Sequence, residues 1–202
     1  MSELKSEENS ARPSSGRFFS FCIGKESRHM VALPDCKAHL IFWPILVLGL
    51  ILDLWSKSAV FEWLGQKPGS IVTLIDGLLR LVIAENAGAA FGIATGQRYL
   101  LVAVSVIALM VIFAVFLFSR TCRRSVHVAL GLFAAGICGN LYDRIFNDGL
   151  VRDFIDVVYW PGKHWPAFNV ADSMLCIGIG LVIVSGLFTT EKSSRKRAQR
   201  HR

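Results

Sequence analysis

The chain has 202 residues, 53% of them hydrophobic and 18% charged, with a formal net charge of +7. A soluble domain of this length could not wrap so much hydrocarbon in a polar shell. A nucleic-acid partner is excluded because the surplus lysine and arginine flank apolar blocks instead of lining one face.

The first forty residues mix serine, lysine, glutamate and arginine with little periodicity, a composition unable to bury a core. Residues 1–40 are therefore read as a disordered cytoplasmic extension. The apolar patch at residues 18–23 is too short for a signal-peptide core and serves at most as an interfacial anchor. Apolar blocks follow at residues 41–60, 99–119, 126–142 and 169–188, each near the ~20 residues with which a helix crosses hydrocarbon. The expectation is an all-α polytopic membrane protein with four transmembrane helices, its membrane domain spanning residues 41–188.

Between the first two blocks, residues 71–75 and 78–84 are β-prone runs around an Asp76-Gly77 turn, which predicts a hairpin. Between the last two, Gly149, Pro161, Gly162 and Pro166 predict a loop, with a short strand at residues 150–155. Arg120, Arg123 and Arg124 fill the turn between the second and third blocks, and basic residues from Lys192 to Arg202 crowd a tail at 189–202. By the positive-inside rule both lie in the cytoplasm, so both termini are inside and the two long connections face outward. Cys22, Cys36, Cys122, Cys138 and Cys176 lack metal-ligand spacing. No disulfide, metal or other cofactor is expected.

Ionisable residues in or beside spanning helices are costly and mark function. Asn140, Asp143 and Arg144 share one face at the outer end of the third block, and Asn169 and Asp172 open the fourth. One outer loop joins these ends, so the two aspartates can meet at the same depth. Two close carboxylates repel until one keeps a proton; the ionised member can then activate water while the other donates to the oxyanion or leaving nitrogen. Asp143 and Asp172 are thus the sequence candidates for a catalytic pair, with Asn140 and Asn169 holding substrate backbone or orienting the acids. Asp53 and Lys57 form an i, i+4 pair read as pinning the first helix near the outer interface. Asp153 and Asp156 are read as more exposed strand or loop structure, and Tyr159, Trp160 and Trp165 as aromatics at headgroup level.

The ordered boxes Asp53-Leu-Trp-Ser56-Lys57, Asn86-Ala-Gly88-Ala-Ala90-Phe91-Gly92, Gly139-Asn140-Leu-Tyr-Asp143-Arg144, Val151-Arg-Asp153-Phe154-Ile155 and Phe168-Asn169-Val-Ala171-Asp172 resemble those of the bacterial lipoprotein signal peptidases, the signal peptidase II family. That resemblance implies an inner-membrane aspartic endopeptidase that removes signal peptides just before a diacylglyceryl-modified cysteine, with its active site at the outer face. It implies Asp143 and Asp172 as the dyad. Asn86, Gly88, Asn140, Arg144, Asn169 and Ala171 become substrate-binding or supporting positions, and Asp53 and Lys57 supporting ones. It further implies a small extracytoplasmic β-cradle over the site, lipid-modified prolipoproteins and membrane lipids as partners, inhibition by globomycin, and a chain that works as a monomer. The rival reading is a small proton-linked transporter or channel subunit, which would carry its charges near the bilayer centre.

Overall fold

Apolar helices and short strands make up most of the described chain. The structure, a computed structural model, describes residues 36–89, 92–118 and 123–200, with side chains as far as residue 186. Helix α1 (Cys36–Gly65) leads through a single turn into strands β1 (Ile71–Ile75) and β2 (Leu79–Asn86); α2 (Arg98–Phe118) and α3 (Arg124–Phe146) follow; then come β3 (Val151–Trp160), β4 (Lys163–His164) and α4 (Val170–Arg200). The readings of the extension to residue 35, of the patch at 18–23, and of Cys22, Ala90, Phe91, Arg120 and Cys122 fall outside the described residues. Helix α1 begins at Cys36, before the apolar block, so the expected boundary at residue 40 falls inside a helix.

Among the described residues three helices, α1, α2 and α3, are long and apolar enough to cross a membrane, while the apolar part of α4 within the described side chains is the shorter Val170–Gly186. Large apolar side chains such as Leu48, Ile51, Val104, Met110, Ile177 and Ile183 point outward. Water would penalise such a belt, and lipid does not.

Helix α3 is the central member, packing on α1, α2 and α4. Its small residues allow this close approach. A Cβ on Gly131 would lie 3.0 Å from the Ile45 side chain, one on Gly136 would lie 2.6 Å from the Ala171 carbonyl oxygen, and one on Gly139 would run into the Asp53 carboxylate. At the end remote from the strands, Phe42 and Phe116 stack with centroids 4.0 Å apart in a core with Leu46, Ile112, Leu130 and Ala134.

The four strands form one antiparallel sheet in the order β1-β2-β3-β4. The hairpin turns where predicted, with Gly77 at a φ of 69° that favours glycine. Strand β3 is longer than the expected strand and pairs with β2 from Leu79↔Val157 to Asn86↔Val151, which joins the two connections into one sheet beside the same end of the bundle. That pairing buries Asp153 and Asp156 to 2% and 5% exposure, so neither is the exposed loop acid expected from sequence. Asp156 accepts from Arg80 Nε at 2.8 Å and Nη2 at 2.5 Å across the strands.

Candidate active site

Where the sheet meets α1, α3 and α4, ten polar side chains are buried or half-buried in two linked clusters. The first centres on Lys57, which is wholly buried. Its ammonium faces Asp53 Oδ2 at 2.7 Å and Asp143 Oδ2 at 3.1 Å, and donates to Asn140 Oδ1 at 3.0 Å. Two carboxylates thus offset the buried charge of one lysine, and an amide oxygen takes its hydrogen bond. Asp53 Oδ1 in turn accepts from the Ala171 backbone N–H at 2.8 Å, tying α1 to the first turn of α4. The pair read from sequence as pinning α1 is thus an internal ion pair joined to the site.

Asp143 is also fully buried, and both of its oxygens are engaged. Its Oδ1 accepts from Arg152 Nε at 3.1 Å and Nη2 at 2.7 Å, while its Oδ2 accepts from the Arg152 backbone N–H at 3.1 Å and faces Lys57. A charged lysine and a forked arginine make this burial tolerable.

The second cluster links Asp153, Asn169, Asn140 and Asp172. Asn169 Nδ2 donates to Asp153 Oδ1 at 2.7 Å and to Asn140 Oδ1 at 3.0 Å; Asn140 Nδ2 donates to Asp172 Oδ1 at 2.8 Å. Asn86, at the end of β2, donates to Asp153 Oδ2 at 3.2 Å. Asn169 caps α4: its Oδ1 accepts from the Asp172 N–H at 3.0 Å, and Asp172 Oδ2 accepts from the Asn169 N–H at 3.2 Å, a reciprocal capping box. Arg144 donates to the carbonyl oxygens of Gly88 at 3.0 Å and Asn140 at 3.3 Å, holding the loop after β2 against α3.

A cavity of about 610 Å³ opens on this second cluster. Asn86, Gly88, Asn140, Arg144, Asp153 and Asp172 line its polar side; Trp165 to Phe168 and Leu175 to Ile177 line the rest. Of the two aspartates paired in the sequence reading, Asp172 lines the cavity and Asp143 does not. Asp53, Lys57, Asn169 and Ala171 stand behind the wall. Asp153, which the sequence reading left as strand structure, lines the cavity with Asp172. Its carboxyl is pushed up to about 7, first by burial and then by the neighbouring Asp172 charge. The signal for it was an acid inside an apolar strand, and only the pairing of β3 with β2 reveals that it turns inward. Among the described residues no group of His, Cys, Asp and Glu could hold a metal.

These elements define a polytopic membrane protein with a carboxylate-lined cavity where its helices meet a small sheet. Residues 45–188 match the family model described as signal peptidase (SPase) II. The chain belongs to the signal peptidase II family. It is 42% identical over 159 residues to the lipoprotein signal peptidase of Sulfurihydrogenibium sp. (strain YO3AOP1), covering 75% of this chain and 94% of that one. It is 39% identical over 147 residues to that of Geobacter sulfurreducens (71% and 89%), and 37% identical over 162 residues to that of Rhodopirellula baltica (72% and 71%). Two solved structures described as a bacterial membrane enzyme are similar with TM-scores of 0.64, at 30% and 31% identity, covering 81% and 79% of this chain and 96% and 98% of theirs.

Proposed function

We propose that this chain removes signal peptides from prolipoproteins as an aspartic endopeptidase whose dyad is Asp153 and Asp172. Membership of the family makes it a membrane peptidase acting on prolipoproteins. The observation that carries the assignment is that these two carboxylates line one cavity and are joined through Asn169 and Asn140, whereas Asp143 is buried outside the cavity lining, held by Arg152 and Lys57. Asp143 was the natural candidate on helical spacing alone, and its enclosure between Lys57 and Arg152 argues against it.

In this reading Asp153, with its raised pKa, holds the shared proton near neutrality. Asp172, which accepts from Asn140 and the capping N–H, takes a proton from water as the water attacks the scissile carbonyl. Asp153 donates its proton to the oxyanion; Asp172 then passes the proton taken from water to the leaving nitrogen while Asp153 recovers its own from the gem-diol, which restores the pair. Arg144 and Asn86 flank the cavity and suit the substrate backbone.

The finer features follow the same reading: four spans with both termini in the cytoplasm, an outward-facing site in the bacterial inner membrane, cleavage before a diacylglyceryl cysteine, a monomer inhibited by globomycin, and residues 1–40 and 189–202 as cytoplasmic appendages. Basic residues at 123–124 and in the tail support that orientation.

Processing of a lipidated prolipoprotein by purified variants tests the dyad. Asp153→Asn and Asp172→Asn should each abolish turnover with insertion intact, while Asp143→Asn keeps measurable turnover. Near wild-type processing by Asp153→Asn would sink the assignment.

A further inference from the structure

We propose that Asp143 is a positioning residue that sets both members of the dyad at once, Asp153 through Arg152 and Asp172 through Lys57 and Asn140. The inference rests on the dyad assigned above. Each arm is a continuous set of contacts.

On the first arm, Asp143 grips the Arg152 side chain with Oδ1 and the Arg152 backbone N–H with Oδ2. A residue held by both its side chain and its backbone has little freedom left, and Asp153 is its neighbour in β3. The Arg152 guanidinium also donates to Ser58 Oγ at 3.2 Å, and its carbonyl oxygen accepts from Asn169 Nδ2 at 3.3 Å. Arg152 therefore ties α1, α3 and the cap of α4 to the peptide that carries Asp153.

On the second arm, the Lys57 ammonium lies between the Asp53 and Asp143 carboxylates and donates to Asn140 Oδ1. An ammonium only donates, so the Asn140 amide cannot turn over without setting NH₂ against NH₃⁺. Its Nδ2 is thereby committed to Asp172. The charge of Asp143 thus fixes which edge of Asn140 the dyad meets.

A general base needs a lone pair open to water, and Asp143 is wholly buried, with three hydrogen bonds from Arg152 and the Lys57 ammonium beside it. Displacing a reacting group by a fraction of an ångström is nonetheless costly. Asp143→Asn and Arg152→Gln should each lower kcat by up to about 10²-fold, with KM for a lipidated substrate unchanged and both limbs of the pH profile retained.

The experiment is a double-mutant cycle on the full chain in lipid bilayers, with Arg152→Lys as the conservative variant and Asp153→Asn alongside. If Asp143 works through Arg152, the double variant is no slower than Asp143→Asn, and Arg152→Lys recovers part of the loss. Wild-type kcat in Asp143→Asn, or losses that multiply in the double variant, would overturn the proposal. Should Asp143→Asn fail to insert, Arg152→Gln decides alone: lowered kcat at unchanged KM supports it, and unchanged kcat overturns it. Turnover in Asp153→Asn together with none in Asp143→Asn would instead overturn the dyad itself, so the two failures are distinguishable.

Discussion

An isolated carboxylic acid titrates near ~3.9, whereas Asp153 reaches about 7 because burial and the Asp172 charge both oppose ionisation. Between those values the folded chain holds a proton that the unfolded chain has lost, so stability falls as pH rises toward 7 and the full cost persists above it. Asp153→Asn removes an acid that must ionise and keeps a neutral group of similar shape. The variant should unfold at higher temperature than the wild type at about pH 8, with the gap closing toward about pH 4; a gap that widened on acidification would contradict the raised pKa. For activity, kcat/KM of the wild type should decline on the alkaline side as Asp153 loses its proton near about 7. The acid at 143 was legible in sequence because helical spacing set it beside Asn140 and Arg144. The acid at 153 was not, since an i, i+3 rule sees only one helix, and Asn86, which donates to Asp153, is 67 positions away in the chain.

Among the elements, the helices were legible because hydrocarbon thickness sets their length, and the hairpin because Asp76-Gly77 separates two β-prone runs. The pairing of β2 with β3 was not, because nothing local in either connection specifies a partner in the other. Glycine admits close packing at some helix positions and not others: Gly131 and Gly136 admit neighbouring helices, and Gly178 lies against the Phe133 ring, whereas Gly180 has open space beside it. Gly139 has the most consequence, since a side chain there would collide with the Asp53 carboxylate that holds both Lys57 and the Ala171 N–H. Overpacking of this kind typically costs about 1–3 kcal/mol. Gly139→Ala should therefore lower the unfolding temperature and reduce kcat together, measured on the same detergent-solubilised samples; Gly136→Ala, against backbone and Leu175, should destabilise with a smaller loss of kcat. Equal losses of activity from both would mean that Asp53 is a structural anchor with no link to the dyad.

At the scale of the molecule, the polar clusters gather where the sheet covers the bundle, and α2 carries an almost unbroken apolar surface. This asymmetry disfavours an ion pathway, whose charges would be spread through the depth of the bundle. The cavity has two faces of different character: acids and amides toward the sheet, and Leu175, Cys176 and Ile177 along α4 toward the lipid belt. A substrate with a polar peptide and an acyl chain satisfies both faces, and anchoring in the bilayer makes the second contact effectively intramolecular. In vesicles, a diacylglyceryl prolipoprotein should therefore be cut with kcat/KM at least about 10²-fold above its unlipidated counterpart. Introducing charge on the apolar face, as in Leu175→Lys, should erase much of that preference while slowing the unlipidated substrate little. If the variant slowed both substrates equally, the face along α4 would be serving the fold and not the recognition of lipid.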